Sequence, residues 1–345
     1  MERSKKKKQD RKRRMLILLI ALFFTTVMFT TTTYAWFTAN KNVTVETLSV
    51  NVEAQNGIQI SADGTNWKSV VQKDDLTTVT PSYGNNVNQI PDTMEPVSTI
   101  GTVDAGGKME MFKGTVYSND DGDYLLKAAK QTDAKGDEGA YIAFDLFFKV
   151  DQDSEIYLTG QSGVRVTVPT GVDPATIPDK GIKNAARIAF VVLGNTTSGD
   201  TIANIQALNN GTTSPKYIWE PNYDVHTAAA VAHARDTYGV ASLGTTGATR
   251  LAYSGVKAAI AESDAVALQV SSPTLYTTRD DDFFDTVSID YATTAANTAA
   301  TQIFDLEAGI TKVRIYMWIE GQDVDCENSA SGSEVSFDLK ITTEP

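Results

Sequence analysis

The sequence predicts a mainly β protein: a β-sandwich, jelly-roll-like, with loop and short helical insertions, preceded by an N-terminal signal helix. Three observations predict it. Apolar residues recur with a period of two in nearly every segment where a period can be read. Asn-Gly and Asp-Gly pairs at 56–57, 63–64, 121–122 and 210–211 supply the turn chemistry that separates strands. Helix-forming runs are few, and widely spaced strands with such turns argue for two packed sheets.

Taken in order, the chain opens with "MERSKKKKQDRKRR", a basic n-region, followed by the apolar run "MLILLIALFFTTVMF" at residues 15–29. Thr33 and Ala35 then occupy the two small-residue positions of a cleavage site, which predicts cleavage between Ala35 and Trp36. An uncleaved anchor is the alternative, because the run extended to Phe37 reaches the roughly 20 residues of a spanning helix. Residues 1–35 are thus expected to be a signal peptide and 36–345 a single secreted domain. A split near Gly194 is the other division considered.

The first strand is expected over residues 42–53. Val43 and Val45 alternate with polar neighbours, the pattern slips at Thr47, and Leu48, Val50 and Val52 resume it. The slip predicts a bulge or a break between two short strands. "AYIAFDLFFKV" places Ile142, Phe144, Leu146, Phe148 and Val150 on one face. "VRVTV" at 164–168 alternates too, while "ARIAFVVL" at 186–193 is apolar on both faces, as in a central buried strand. "KVRIYMWIE" and "EVSFDLKIT" alternate near the C-terminus and read as a hairpin across the polar stretch 321–333. Residues 226–239 are the best helix candidate, Ala-rich and ending at Gly239, and 254–268 is a second. Residues 195–215 and 292–301 read as surface loops.

The overall charge of -13 conceals an asymmetry: nine Lys/Arg and two Asp/Glu precede residue 36, leaving 21 basic and 41 acidic residues beyond it. A body that acidic repels nucleic acid and its own copies, so no nucleic-acid partner is expected. At 41% hydrophobic residues it can bury a large core without disulfides. Cys326 is the single cysteine and has no intrachain partner.

Little in the motifs points to catalysis. There is no P-loop, no G-x-S-x-G and no G-x-G-x-x-G. His226 and His233 are the only histidines and lie seven apart, whereas a zinc-binding helix needs four; they read as surface or capping residues. Cys326 sits among Asp323, Asp325 and Glu327, whose charges would raise its pKa, so it reads as an unreactive loop thiol. Three acidic clusters are weak calcium candidates: Asp120, Asp121 and Asp123; Asp280 and Asp282 with their neighbours; and Asp323 with Asp325. None has the EF-hand spacing, and the competing reading of each is a solvated acidic loop. The aromatics of "KYIWEP" at 216–221 suit core packing or a sugar platform. No catalytic residue and no cofactor is expected.

The stretch "TYAWFTANKNVTVETLSVNVEA" resembles the processing site and first strand of the TasA/camelysin family of secreted Gram-positive bacterial proteins. The match to its T-[WY]-A-x-F junction falls on Thr33, Tyr34, Ala35 and Phe37; Thr38 and Ala39 stand where members often carry Asn-Asp. The resemblance covers about the first 55 residues. It implies cleavage by a SipW-type signal peptidase, release to the extracellular space or cell surface, and membrane contact only through the signal segment before cleavage. It also implies a matrix or fibre subunit, a homo-polymer. The residues Val43, Val45, Leu48, Val50 and Val52 have the alternation that donor-strand exchange into a neighbour requires. The alternative expectations are a monomeric cell-surface binding module for glycan or host protein and, further off, a surface protease or a glycosidase working through paired carboxylates.

Overall fold

The computed structural model describes residues 45–77, 83–118, 124–168, 171–173, 180–240, 243–267, 279–327 and 332–345. The signal segment, the Ala35–Trp36 junction, Val43 and the candidates Asp120, Asp121 and Asp123 lie outside the described residues. The fold is mainly β, with 42% strand and 10% helix.

The strands run in chain order as β1 (Val45–Ala54), β2 (Gln59–Ser61), β3 (Val70–Gln72), β4 (Asn88–Gln89), β5 (Thr93–Met94), β6 (Met111–Ser118), β7 (Tyr124–Gln131), β8 (Lys135–Gly136), β9 (Ile142–Val150) and β10 (Ser154–Leu158). They continue as β11 (Gly163–Val166), β12 (Ala186–Thr196), β13 (Lys216–Glu220), β14 (Ser254–Val256), β15 (Val266–Ala267), β16 (Phe284–Thr286), β17 (Tyr291–Ala292), β18 (Thr301–Leu306), β19 (Gly309–Ile319) and β20 (Glu334–Thr342). Among the described residues three short helices, α1 (Lys73–Thr77), α2 (Ile202–Ala207) and α3 (Ala228–Tyr238), are inserted between them.

Among the described residues, one sheet of seven strands has the order β18-β10-β20-β1-β3, with β11 also on β20 and β5 on β1. The other, of eight strands, runs β17-β13-β12-β19-β9-β4-β8, with β2 also on β9. The two pack face to face. Val52, Val335, Phe337 and Leu339 of the first share one buried cluster with Phe144, Leu146, Ile188, Phe190, Val313 and Ile315 of the second. Phe304 of β18 reaches across, its ring 6.1 Å from Phe148 and 5.7 Å from Phe190. Each such fully buried side chain is worth about 1.5–3 kcal/mol relative to exposure.

The second sheet is buried on both faces, which explains the doubly apolar β12. Its outer face carries Tyr316 and Trp318 into a second cluster, roofed by Met109, Met111, Ala230 and Ala234. The polar members of that outer face, Arg187, Lys312 and Arg314, are also fully buried. The insertions between strands therefore lie over a sheet face that carries charge, and those charges need partners.

Two expectations about local structure hold in detail. The slip at Thr47 is a register shift between Thr47 and Ser49 in the parallel pairing of β1 with β20. Helix α3 starts where Thr227 accepts from the Ala230 amide at 3.1 Å and ends at Gly239, whose φ of 70° supplies the left-handed cap. Gly194 lies inside β12, so it marks no domain boundary.

Three expectations are corrected. β19 and β20 are not a hairpin: β19 is central in one sheet and β20 in the other. Their apolar faces match because they meet across the core rather than side by side. Residues 254–268 are not helical beyond the 3-10 turn Glu262–Asp264; β14 pairs with β16, and Ile260 exchanges backbone bonds with Ala128. Long-range pairing outweighs a modest helix preference there. Residues 195–215 contain α2, capped by Thr201, which accepts from the Asn204 amide.

Candidate functional site

The densest group of ionisable side chains lies where β12 begins, β13 ends and the chain leaves β19. Arg187, with no exposed surface, donates through Nη2 to Glu220 Oε1 at 2.8 Å and to Asp323. Its Nη1 satisfies the carbonyls of Asn184 and Ala186, both at 2.9 Å, and its guanidinium lies 5.3 Å from the Tyr253 ring centre. Arg250 Nε binds the other oxygen of Glu220 at 2.6 Å. Burial lowers the Arg187 pKa, but Glu220 and Asp323 win and hold it well above its usual value.

Both histidines belong to the same region, a correction to their reading as surface or capping groups. His226 Nδ1 donates to Asp325 Oδ2 at 2.6 Å, and the Thr227 amide donates to Asp325 Oδ1 at 2.8 Å. His233, two turns along α3, donates through Nδ1 to Glu327 Oε1 at 2.6 Å. His226 lies just before the Thr227 cap of α3 and His233 within the helix, and their partners Asp325 and Glu327 lie two residues apart in the turn that follows β19. The start of α3 and the turn after β19 are thereby latched by two imidazole–carboxylate contacts. Burial disfavours the His226 charge, but the hydrogen bond and charge of Asp325 prevail and raise its pKa.

The segment between these contacts is wound tightly. The amides of Cys326 and Asp325 bind the Asp323 carbonyl and carboxylate at 3.0 and 2.8 Å. Gly181 packs against it with φ of 90°, and a Cβ there would meet the Asp325 carbonyl at 2.5 Å, so only glycine fits. Cys326 is fully buried rather than on a loop surface. Burial and the charges of Asp323, Glu327, Glu320 and Asp325 push its thiol far above the ordinary range, which disqualifies it as a nucleophile. Glu320 is also fully buried. Burial pushes it up to about 7, against the bonds it accepts from Trp318 Nε1 at 3.1 Å and the Gln322 amide at 3.0 Å.

The arrangement stores charge and fixes geometry. Glu220 and Asp323 face Arg187 and Arg250, and Asp325 and Glu327 face the two histidines. Asp323 and Asp325, two of the weak calcium candidates, have their oxygens engaged by Arg187, His226 and backbone amides. Asp280 binds Lys257 at 3.1 Å at the surface, and Asp282 is exposed. Among the described residues no three His, Cys, Asp or Glu side chains converge as a metal site.

The donor-strand candidates lie in β1, apart from Val43. β1 is an interior strand: β20 pairs with it in parallel from Glu46 to Ala54, and β3 and β5 flank it antiparallel on the other side. Val52 is completely buried in the shared core. Comparison with family models, with curated proteins and with solved structures finds no match. Among the described residues no helix is long and apolar enough to cross a membrane.

Proposed function

We propose that this chain is an exported structural protein of the cell surface or extracellular matrix, and that it assembles into fibres by exchange of β1 between copies. One observation carries the reading: the first described strand fills an interior slot beside the last. β20 lies nearly the whole chain away in sequence, so no short loop ties β1 to its own copy of that slot.

Exchange would preserve every contact. A β1 from a neighbour would make the same backbone ladder with β20 and bury the same Val52, so the two arrangements differ mainly in connection. The Asn56–Gly57 turn, with φ of 55° and 83°, follows β1 directly before β2 enters the opposite sheet, and it is where the strand would swing out. Leaving the slot empty would expose a β20 edge and the core behind it. The charge of the body opposes close approach of copies, so salt should favour assembly.

Sedimentation of the chain beginning at Trp36, with and without salt, against a chain lacking residues 36–46 tests this. The longer chain is expected to form large species in salt and the shorter to stay small while folded. Equal assembly by both contradicts exchange through this segment.

A second reading rests on a surface cleft of about 300 Å³ between β11 and the 293–297 loop, bordered by Ser162, Arg165, Asn222, Thr294 and Asn297. Its polar rim suits a carbohydrate or peptide ligand of a monomeric binding module. A chain that never leaves the monomer would favour that reading.

A further inference from the structure

The outer face of the second sheet holds another buried charge group, distant in sequence from the histidine cluster and built on Lys312 of β19. Lys312 has no exposed surface. Its Nζ lies 3.2 Å from Asn85 Oδ1, 3.3 Å from Asp145 Oδ2 and 2.9 Å from the Gln206 carbonyl. The rings of Tyr83 and Phe147 flank it at 4.6 and 5.7 Å. Asp145, on the neighbouring strand β9, is fully buried and already holds Arg314 through Nε at 2.7 Å and Nη2 at 3.1 Å. It also accepts from Tyr83 OH at 3.1 Å and the Val87 amide at 3.3 Å.

Two buried cations thus share one carboxylate, a costly arrangement that conversion of the amine to an amide would relieve. The amine touches both the side-chain amide of Asn85 and the carboxylate of Asp145, beside the rings of Tyr83 and Phe147. We propose that Lys312 and Asn85 condense to an intramolecular isopeptide bond, with Asp145 as the proton carrier.

The chemistry balances without an added reagent. The neutral Lys312 amine attacks Asn85 Cγ, forming the Nζ–Cγ bond. Asp145 accepts a proton from Nζ and returns it to water, while Nδ2 takes a proton from water on its exposed side; the Cγ–Nδ2 bond breaks and ammonia leaves. No atom is oxidised or reduced. Asn85 Nδ2 points toward the Ala207 carbonyl at 3.5 Å on the exposed side, which gives the ammonia a way out. Burial, reinforced by Arg314 and opposed by Asp145, lowers the Lys312 pKa and enlarges the nucleophilic fraction. Arg314 keeps Asp145 ionised and so able to take the proton. The bond would staple residues 227 apart, fixing the segment before β4 to the centre of the sheet.

Mass spectrometry of the denatured full chain tests this, its N-terminus being read from the same peptide map. The expected mass is about 17 Da below that of the sequence, the loss of one ammonia. Trypsin should spare Lys312, and a branched peptide should join the segments holding Asn85 and Lys312. The variants Asn85→Ala and Lys312→Met should each show their full sequence mass. A wild-type chain at full mass with both peptides linear overturns the proposal. So does a 17 Da loss that maps to a succinimide at Asn56–Gly57 or Asn210–Gly211.

Discussion

Glu53 on β1 and Lys340 on β20 are register partners, and Lys340 Nζ lies 3.4 Å from Glu53 Oε2 on the solvent side of the sheet. The pair marks where the first and last described strands meet. Because it is half-exposed, its electrostatic contribution is small. Its value is as a reporter of which copy of β1 occupies the slot.

Stability should fall as pH rises through neutrality. Glu320 has a folded pKa of about 7, raised by burial from 4.5. A raised pKa means that the stability it lends is complete below about 4.5 and is lost as pH climbs through 7. The shift corresponds to about 3 kcal/mol. His226, also raised, acts in the same direction, complete below its unfolded value near 6.5 and lost above the folded one. Urea unfolding at pH 5 and pH 8 should show Glu320→Gln losing less stability between them than the wild type does. Parallel losses in the two proteins would refute the assignment.

Arg187→Met should destabilise strongly, by about 3–5 kcal/mol, because it removes the buried cation facing Asp323 and leaves Glu220 with Arg250 alone. Replacing Arg187, Glu220 and Asp323 together by apolar residues of like volume should recover most of the loss. If the single variant unfolds at the wild-type urea midpoint, the cluster has no structural weight.

Gly181→Ala should also cost stability, by an amount on the order of a few kcal/mol, from the left-handed backbone and the overlap with the Asp325 carbonyl. A neutral result in thermal unfolding would mean that the 320–327 turn can move aside.

Cys326 should resist thiol reagents in the folded chain and react once in urea. A reducing agent should leave the melting temperature unchanged at constant pH, since the thiol has no intrachain partner. Rapid labelling of the native protein would contradict its burial.

The sandwich was legible because alternation survives wherever one strand face meets the core, as in Val335, Phe337, Leu339 and Ile341. The bulge after Thr47 was legible for the same reason: one residue out of step moves the apolar set to the other face. The partnership of β19 and β20 was not, because matched apolar faces fit both a hairpin and two strands facing across a core. The histidine latch was hidden because His226 and His233 find Asp325 and Glu327 about a hundred residues away. Lys312, Arg314 and Asp145 are the polar members of their strands' alternation, and the insertions that cover that face are what bury them.

The central claim is that β1 passes between copies, and the Glu53→Cys, Lys340→Cys double variant tests it most directly. Adjacent strands about 4.8 Å apart can accept a disulfide between register partners, and Cys326 is too buried to compete. Oxidised as a monomer, the variant should be locked with β1 in its own slot and fail to form large species in salt. Reduction should restore assembly, and reoxidation of the assembled material should link chain to chain. Assembly of the oxidised monomer at the rate of the reduced one would contradict the account.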